Sequence, residues 1–227
     1  MYANYLKRPL DFCCALAAIL CLSPILVVLT VLGVIKMHGN PFFTQPRPGK
    51  NEKIFKLIKF RTMTNQRDSA GNLLPDDKRL TAYGRFLRST SLDELPELFN
   101  ILKGDMAVIG PRPQLVRDMV FMTPEQRRRH TVRQGLSGLA QINGRNAVTW
   151  ETKIAYDLEY IQHITFFGDV KIILTTLAKV FRRDGITEDN CDTATDLADY
   201  LLAEGRITRE EYDLGQAEAK KLIAEAC

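Results

Sequence analysis

Residues 12–35 read FCCALAAILCLSPILVVLTVLGVI, an apolar run without a charged residue that Ser23-Pro24 interrupts near its centre. A run of this length is long enough to cross the hydrocarbon core of a bilayer. Proline has no backbone N–H and clashes with the carbonyl four residues before it, so we expect a helix break at Pro24. In lipid the freed carbonyl groups need a new donor, and the hydroxyl of Ser23 can supply one.

Basic residues flank both ends of this run: Lys7 and Arg8 precede it, and Lys36 follows it. Because cationic flanks favour the cytoplasm, a straight span would place one basic end on the wrong side. We therefore expect a helix that enters the membrane, breaks at Ser23-Pro24 and returns to the same face. An ordinary transmembrane anchor with a tolerated proline is the alternative. A secretory signal peptide is less consistent with the run, since no small-residue cleavage site follows it.

The charge of the chain divides at Asp184. Residues 1–183 carry 27 basic and 15 acidic residues, whereas residues 184–227 carry 4 basic and 12 acidic residues. A basic body beside a membrane segment suits anionic headgroups or phosphate-bearing substrates. Nucleic acid is a rival partner, but the sequence has no zinc-finger spacing, no aromatic-rich RNA-binding signature and no clear helix-turn-helix. The five scattered cysteines favour a reducing compartment.

The central part of the chain alternates short helices and strands. Residues 45–49, QPRPG, predict a rigid loop, and the alternation of residues 53–62 predicts a strand or hairpin arm. Ser91 and Glu94 have the spacing of a capping box, which predicts a helix from there to about Lys103. Amphipathic helices are expected further on, followed by an acidic helical hairpin.

Asp93 and Glu94 are adjacent carboxylates near this predicted helix start. The N-terminus of a helix favours anions, so we expect Asp93 to stay ionised. An ionised aspartate can act as a nucleophile on phosphorus, and two carboxylates can hold Mg²⁺. Alternatively, Glu94 only closes the capping box with Ser91.

Several basic residues could form a pocket for a polyanion. Prolines on both sides of Arg112 restrict its backbone, and a planar guanidinium pairs well with phosphate oxygens. Arg145 in a glycine-flanked loop, Lys59 on the predicted strand and Arg88 before the carboxylate pair would complete a pocket suited to phosphoryl transfer. A turn with a solvated arginine is the alternative for Arg112 and Arg145. The basic triple at 127–129 is expected to be a membrane-facing or solvated helix face.

Several short motifs, taken in order, resemble those of one family. They are KRPLD at 7–11, SP at 23–24, FTQ and RPG within 43–49, KFRTM at 59–63, RSTSLDELP at 88–96, LKGDM at 102–106, GPRP at 110–113 and the stretch 135–145. Over residues 1 to about 183 the chain is similar to bacterial sugar transferases. It most resembles the small monotopic phosphoglycosyl transferases of the PglC type.

This resemblance implies a mostly helical α+β fold. A re-entrant membrane helix-break-helix at residues 1–38 would precede a small globular catalytic domain at residues 39–183, with interfacial amphipathic helices. The acidic helical appendage at residues 184–227 lies outside the resemblance. The resemblance also implies a monotopic protein on the cytoplasmic face of the bacterial inner membrane.

The resemblance also implies a reaction, in which a UDP-sugar gives its phosphosugar to polyprenol phosphate and releases UMP. Asp93 would attack the β-phosphate and form a covalent intermediate, while Glu94 would help to position Mg²⁺ or the acceptor. The residues implied to hold phosphates or the nucleotide are Lys59, Arg88, Arg112 and Arg145, with Asp157 as a further candidate.

Two other functions stay open on the sequence. In a direct single displacement, Asp93 and Glu94 would only bind Mg²⁺ and activate the acceptor. A non-catalytic scaffold would use its basic body to recruit partners at the membrane. The expected partners of the enzyme are membrane lipids and downstream glycosyltransferases, with no nucleic acid.

Overall fold

The computed structural model describes residues 1–144, 148–182 and 195–226 as a mostly helical α+β protein with two small sheets. The long and medium helices are α1 (Lys7–Met37), α3 (Ala82–Ser89), α4 (Glu97–Lys103), α5 (Val116–Phe121), α8 (Trp150–Gln162), α9 (Phe166–Arg182), α10 (Leu197–Ala203) and α11 (Arg209–Ala226). Shorter helices are α2 (Asp76–Arg79), α6 (Pro124–Arg127) and α7 (Leu139–Asn143). The strands are β1 (Phe42–Pro48), β2 (Ile54–Phe60), β3 (Met106–Ile109) and β4 (Gln134–Ser137).

Helix α1 is continuous through Pro24, so the expected break does not divide it into two helices. A bend at Pro24 and a return to the same membrane face stay predictions. The Ser23 hydroxyl donates to the carbonyl of Leu20 at 2.8 Å. Leu20 lies four residues before Pro24, so its carbonyl is the one that loses a backbone partner to the proline. The predicted role of Ser23 as a replacement donor is therefore confirmed. This bond helps to explain why the chain stays helical across the proline.

Helix α1 packs against the rest of the protein near both of its ends. Its buried residues are Asp11, Ala15, Leu26, Leu29, Gly33 and Met37. The opposite face exposes large apolar side chains, including Leu20, Val27, Val28, Val31 and Ile35. Of the segments that the structure describes, Tyr2–Met37 alone is helical, long and apolar enough to cross a membrane by length and composition.

Strands β1 and β2 form an antiparallel hairpin in which Phe42 lies opposite Phe60. The prediction of a strand within 53–62 is confirmed, but the predicted loop at 45–49 is wrong because Pro46 and Pro48 belong to β1. In a two-stranded sheet each strand is an edge, and an edge position tolerates a residue without an N–H. This hairpin carries Lys59 towards the candidate site.

Strands β3 and β4 pair in parallel. Strand β3 begins at the last residue of the LKGDM motif and ends directly before the GPRP motif. Beyond β3 the backbones come very close, since a Cβ on Gly135 would lie 2.1 Å from the nitrogen of Gly110. Gly135 also donates its N–H to the carbonyl of Pro111 at 2.8 Å. Glycine at both positions therefore lets β4 fix the loop that carries Arg112.

The C-terminal hairpin packs directly on the body. Val116 and Met119 of α5 form a buried cluster with Ala219 of α11, and the indole of Trp150 donates to the carbonyl of Thr195 at 3.0 Å. The capping interaction at the start of α11 is present, with Thr208 and Glu211 bonded to each other. The expected helical appendage therefore packs against the rest of the protein. Its boundary at residue 184 stays a prediction.

Candidate active site

The acid pair lies on a short 3₁₀ turn, Leu92–Glu94, immediately before α4. The predicted capping box between Ser91 and Glu94 is wrong: Ser91 has a left-handed backbone with φ 55° and makes no side-chain cap. Glu94 is instead turned towards two cations. Helix α4 ends as predicted at Gly104, which has a φ of 97° that favours glycine.

Glu94 Oε1 accepts from two cations that come from separate elements. Lys59 Nζ on β2 lies at 2.7 Å, and an Arg112 terminal nitrogen on the Pro111–Pro113 loop lies at 2.5 Å. Lys59 also contacts Glu97 at 3.2 Å. The structure therefore brings together Lys59, Glu94 and Arg112, which the sequence placed far apart.

These cations determine the charge of Glu94. Burial alone would raise the pKa of this carboxyl, but Arg112 and Lys59 offset it and hold the pKa of Glu94 well below its ordinary value. Glu94 in turn raises the pKa of the Arg112 guanidinium. Burial raises the pKa of Glu97 to about 7, despite the opposing effect of Lys59. Glu94 is therefore a fixed anion at neutral pH, and Glu97 is poised to exchange a proton.

Asp93 differs from its neighbour because it makes no hydrogen bond or ion pair with any residue that the structure describes. Burial and then the charge of Glu94 raise the pKa of Asp93 to about 6, while Lys59, Arg112 and Arg88 oppose this rise. The carboxyl is thus mostly ionised at neutral pH, as expected, but less acidic than a helix N-terminus alone would make it. An ionised and unpaired carboxylate is a suitable nucleophile.

Arg88 in the last turn of α3 lies near enough to Asp93 to lower its pKa. Its Nε donates to the hydroxyl of Thr62 at 3.2 Å, which holds the guanidinium on the Asp93 side of the site. Leu92 and Leu95, on either side of the acid pair, pack on the cluster that contains Leu26 and Leu29 of α1. The segment directly after Ser23-Pro24 therefore supports the turn that carries Asp93.

Asp157 lies behind the site rather than in it. It is 3% exposed, and its Oδ2 accepts from Arg129 Nε at 2.9 Å and from a terminal nitrogen of Arg129 at 2.7 Å. The same terminal nitrogen of Arg129 donates to the backbone carbonyl of Arg112 at 2.6 Å. Asp157 therefore acts on Arg112 through Arg129 and not by direct contact with a pocket opening.

The expectation of a solvated or membrane-facing basic triple at 127–129 is wrong for Arg129. Arg129 is fully buried, Arg127 pairs with Glu52 at 2.6 Å and Arg128 pairs with Glu125. Three consecutive arginines have no periodic pattern, so the sequence does not indicate which of them is buried. Only the burial of Asp157 on α8 creates the need for Arg129.

Sequence reasoning also missed two residues at the site. Arg47 on β1 donates to the carbonyl of Pro113 at 3.2 Å and to Gln45 at 2.7 Å, and burial lowers its pKa to about 10. Glu97 contacts Lys59 as described above. The spacing of Glu97 three residues after Glu94 was a usable signal, because residues three apart share a helix face. Arg145 lies outside the described residues.

Asp93 and Glu94 can supply only some of the ligands that a Mg²⁺ ion needs. No group of three or more metal-binding side chains occurs within residues 1–144, 148–182 and 195–226. Asp93 has a free carboxylate, and Glu94 is engaged with two cations through one oxygen. Mg²⁺ is often held by one or two carboxylates together with substrate phosphates and water. The residues present therefore suit a metal that arrives with a phosphate-bearing substrate.

A family model described as bacterial sugar transferase matches residues 2–183. The chain belongs to this bacterial sugar transferase family. This sugar transferase is 48% identical over 190 residues to the uncharacterized sugar transferase EpsL of Bacillus subtilis (strain 168), an alignment that covers 83% of the chain and 94% of the relative. All the site residues described above lie within the matched range.

Two relatives carry more specific names. The sugar transferase is 34% identical over 200 residues to the undecaprenyl-phosphate galactose phosphotransferase of Salmonella typhimurium, covering 81% of the chain and 42% of the relative. It is 40% identical over 185 residues to the UDP-glucose:undecaprenyl-phosphate glucose-1-phosphate transferase of Klebsiella pneumoniae. This alignment covers 77% of the chain and 40% of the relative. The aligned part is thus about two fifths of each of these longer relatives.

Proposed function

We propose that this protein transfers a phosphosugar from a UDP-sugar to polyprenol phosphate, giving a polyprenyl diphosphosugar and UMP. The observation that carries the proposal is the unpaired carboxylate of Asp93 beside Glu94, which Lys59 and Arg112 hold as a fixed anion. The names of the Salmonella and Klebsiella relatives support transfer of a hexose phosphate to undecaprenyl phosphate. Downstream glycosyltransferases would extend the product, and we expect no nucleic-acid partner.

In the first half-reaction an Asp93 carboxylate oxygen forms a bond to the β-phosphorus of the UDP-sugar. The bond from that phosphorus to the oxygen bridging the two phosphates breaks, and UMP leaves with the electron pair. Lys59, Arg88 and Arg112 surround Asp93 with positive charge, which suits the phosphate oxygens of the donor. The enzyme then carries the phosphosugar as an acyl phosphate on Asp93.

In the second half-reaction a phosphate oxygen of polyprenol phosphate attacks the same phosphorus and displaces the Asp93 carboxylate. One phosphoanhydride is exchanged for another, so little net driving force is needed. Because the carboxylate stores the phosphosugar, the soluble donor and the lipid acceptor can use one pocket in turn. We propose that Asp93 and Glu94 hold Mg²⁺ together with the phosphates, where it would neutralise their charge.

We further propose a monotopic placement on the cytoplasmic face of the inner membrane, with α1 as a re-entrant element. A span needs about 20 residues free of the soluble body, but the longest stretch of α1 without a buried residue is 16–25. Tyr83 donates to the carbonyl of Leu29 at 2.8 Å, and Arg8 donates to the carbonyl of Ile101 at 2.6 Å. Both halves of α1 are thus bonded to one body, which supports placing both ends on one side of the membrane.

Helix α9 supports the same placement. Phe167, Leu174 and Leu177 are exposed on this helix, while Asp169 and Ile172 on its other face are buried. A helix with one exposed apolar face suits the boundary between headgroups and acyl chains. We therefore propose that α9 is one of the expected interfacial helices.

Intact-mass analysis tests the covalent route. The full chain in nanodiscs, incubated with a UDP-hexose and no acceptor, should gain one phosphohexose on a peptide that contains Asp93 and release one UMP. A direct displacement would release UMP only when polyprenol phosphate is added and would leave the protein mass unchanged. A scaffold would release no UMP under either condition.

Cysteine labelling tests the topology. Single cysteines at Asn4 and Gly39, both exposed, should react with a membrane-impermeant maleimide from the same side of sealed vesicles. The parent chain without the added cysteines gives the background from its five native cysteines. Labelling of the two positions from opposite sides would show that α1 spans the bilayer.

A further inference from the structure

A second basic cavity lies beside the N-terminal end of α1, apart from the acid pair. It has a volume of about 230 Å³. The charged residues that line it are Lys7, Arg8, Lys50, Arg133 and Asp11. Asp11 and Leu26 are fifteen residues apart on α1, which is about 23 Å along a helix axis, and Leu26 packs beside the turn that carries Asp93. The cavity is therefore remote from the proposed chemistry.

The two guanidinium groups of the cavity are anchored at the C-terminal end of α4. Arg8 donates to the carbonyls of Ile101 at 2.6 Å and Leu102 at 2.9 Å, and Arg133 Nε donates to the carbonyl of Gly104 at 2.8 Å. A guanidinium has five N–H donors. In the described part of the chain these bonds use two donors of Arg8 and one of Arg133. The remaining donors are held in fixed positions, which suits the oxygens of a phosphate.

The cavity keeps an excess of positive charge. Lys7 pairs with Asp169 at 2.5 Å, and the Asp11 carboxylate accepts the N–H of Val108 at 3.1 Å. Four cations therefore line the cavity, against the Asp11 carboxylate in the lining and the Asp169 carboxylate that pairs with Lys7. The ammonium of Lys50 is on an exposed residue. Carbonyl partners do not neutralise a guanidinium, so an anion in the cavity would meet a net positive field.

Exposed aromatic side chains lie close in the chain to residues that line this cavity, since Tyr5 directly follows Asn4 and Phe167 comes three residues after Ile164. Tyr5 is 73% exposed and Phe167 is 81% exposed. The ring of Tyr2 packs edge-on against Phe166 at 5.8 Å between centroids, which joins the start of the chain to α9. Aromatic side chains are enriched in the headgroup region of membranes. The surroundings therefore suit a phosphate that carries acyl chains better than a free phosphate ion.

We propose that this cavity binds the phosphate headgroup of an anionic phospholipid. Basic pockets at the cytoplasmic surface are suited to such headgroups. The lipid would hold the N-terminal end of α1 at a defined height in the membrane, while the acceptor lipid reaches Asp93 from the other half of the helix. This inference rests on the proposed membrane placement but is independent of the reaction at Asp93.

Native mass spectrometry of the full chain, released from nanodiscs of phosphatidylcholine and phosphatidylglycerol, tests the site. The wild-type chain should retain one phosphatidylglycerol. Lys50→Glu changes the local charge by two units without removing a helix-capping bond, and Arg133→Gln keeps one N–H for the Gly104 carbonyl. Each near-surface charge contributes measurably to anionic lipid binding, so the double variant should retain phosphatidylglycerol at least about tenfold less.

Lys53→Glu is the matched control, since Lys53 is exposed, lies three residues away and is outside the cavity lining. It should leave lipid retention near the wild-type value. Equal loss in Lys53→Glu and Lys50→Glu would overturn the proposal, because the effect would then be general surface charge. Displacement of the lipid by inorganic phosphate would also overturn it and would identify a free-anion site.

Asp93→Asn separates this proposal from the proposed reaction. Its phosphatidylglycerol retention should equal that of the wild type even though UMP release is lost. Loss of lipid retention in this variant would mean that the cavity is not an independent site, and it would overturn the proposal.

Discussion

Two carboxylates, Glu94 and Asp157, act on the same arginine loop through different groups. Glu94 binds the guanidinium of Arg112 directly, in a half-buried site with an unpaired carboxylate next to it. Asp157 reaches the backbone carbonyl of Arg112 through the fully buried Arg129. The first contact fixes the charges of Glu94 and Arg112 beside Asp93. The second contact holds the backbone from which the Arg112 side chain extends. The difference shows that a buried ion pair can serve a site without touching it.

The largest effect is expected from Asp93→Asn. The amide cannot form the acyl phosphate, so UMP release should fall at least about a thousandfold. Because Asp93 makes no hydrogen bond or ion pair in the described part of the chain, the thermal midpoint should stay close to that of the wild type. Asp77→Asn, at an exposed position, is the control and should keep full activity. Retained UMP release in Asp93→Asn would refute the covalent route.

Arg112→Gln should reduce kcat/KM by about a hundredfold, since it removes a fixed cation from the phosphate site. It also removes a charge that lowers the pKa of Asp93. The acid limb of the pH–rate profile should therefore move above about 6. If the rate falls but the acid limb of the pH–rate profile stays near 6, Arg112 does not contribute to the pKa of Asp93, and this prediction is wrong.

Asp157→Asn breaks a buried pair, and such changes cost about 3–5 kcal/mol of stability. At a temperature where the variant stays folded, kcat/KM should fall by about tenfold, because the Arg112 loop loses its anchor. The double variant Asp157→Leu, Arg129→Met replaces the pair by apolar groups and should recover much of the thermal midpoint.

Activity in this double variant is the deciding measurement. The bond from Arg129 to the Arg112 carbonyl is absent, so kcat/KM should stay low even when stability returns. Recovery of both quantities would show that the pair supports the fold and does not position Arg112.

The smallest change is expected from Glu97→Gln. In the wild type, kcat/KM should fall as the pH drops through about 6, because a protonated Asp93 carboxyl cannot attack. One pH unit below the pKa of Asp93, only about a tenth of the Asp93 carboxyl groups are ionised. Glu97 has a pKa raised to about 7, so it is the competing assignment for this limb. The limb should persist near 6 in Glu97→Gln, and its disappearance would assign the limb to Glu97.

The site was predictable where local pattern carries the information. The acid pair, Lys59, Arg88 and the proline-flanked Arg112 all lie in short motifs, and the structure places them around one turn. Local contacts also fix the starts of α3 and α8, where the side chains of Thr81 and Thr149 accept the backbone N–H groups of Gly84 and Thr152. These features depend on residues within a few positions of each other.

The sequence by itself determined the apolar character of α1, the Ser23 hydroxyl beside Pro24 that can replace a backbone donor, and the adjacency of the carboxylates Asp93 and Glu94. Only the tertiary structure decided that Glu94 pairs with two cations instead of capping its helix, that Arg129 is buried, and that β1 accepts two prolines. Each of these depends on a partner distant in the chain, such as Asp157, which is 28 residues from Arg129. Burial and pairing are set by which segments meet, and a local pattern does not contain that information.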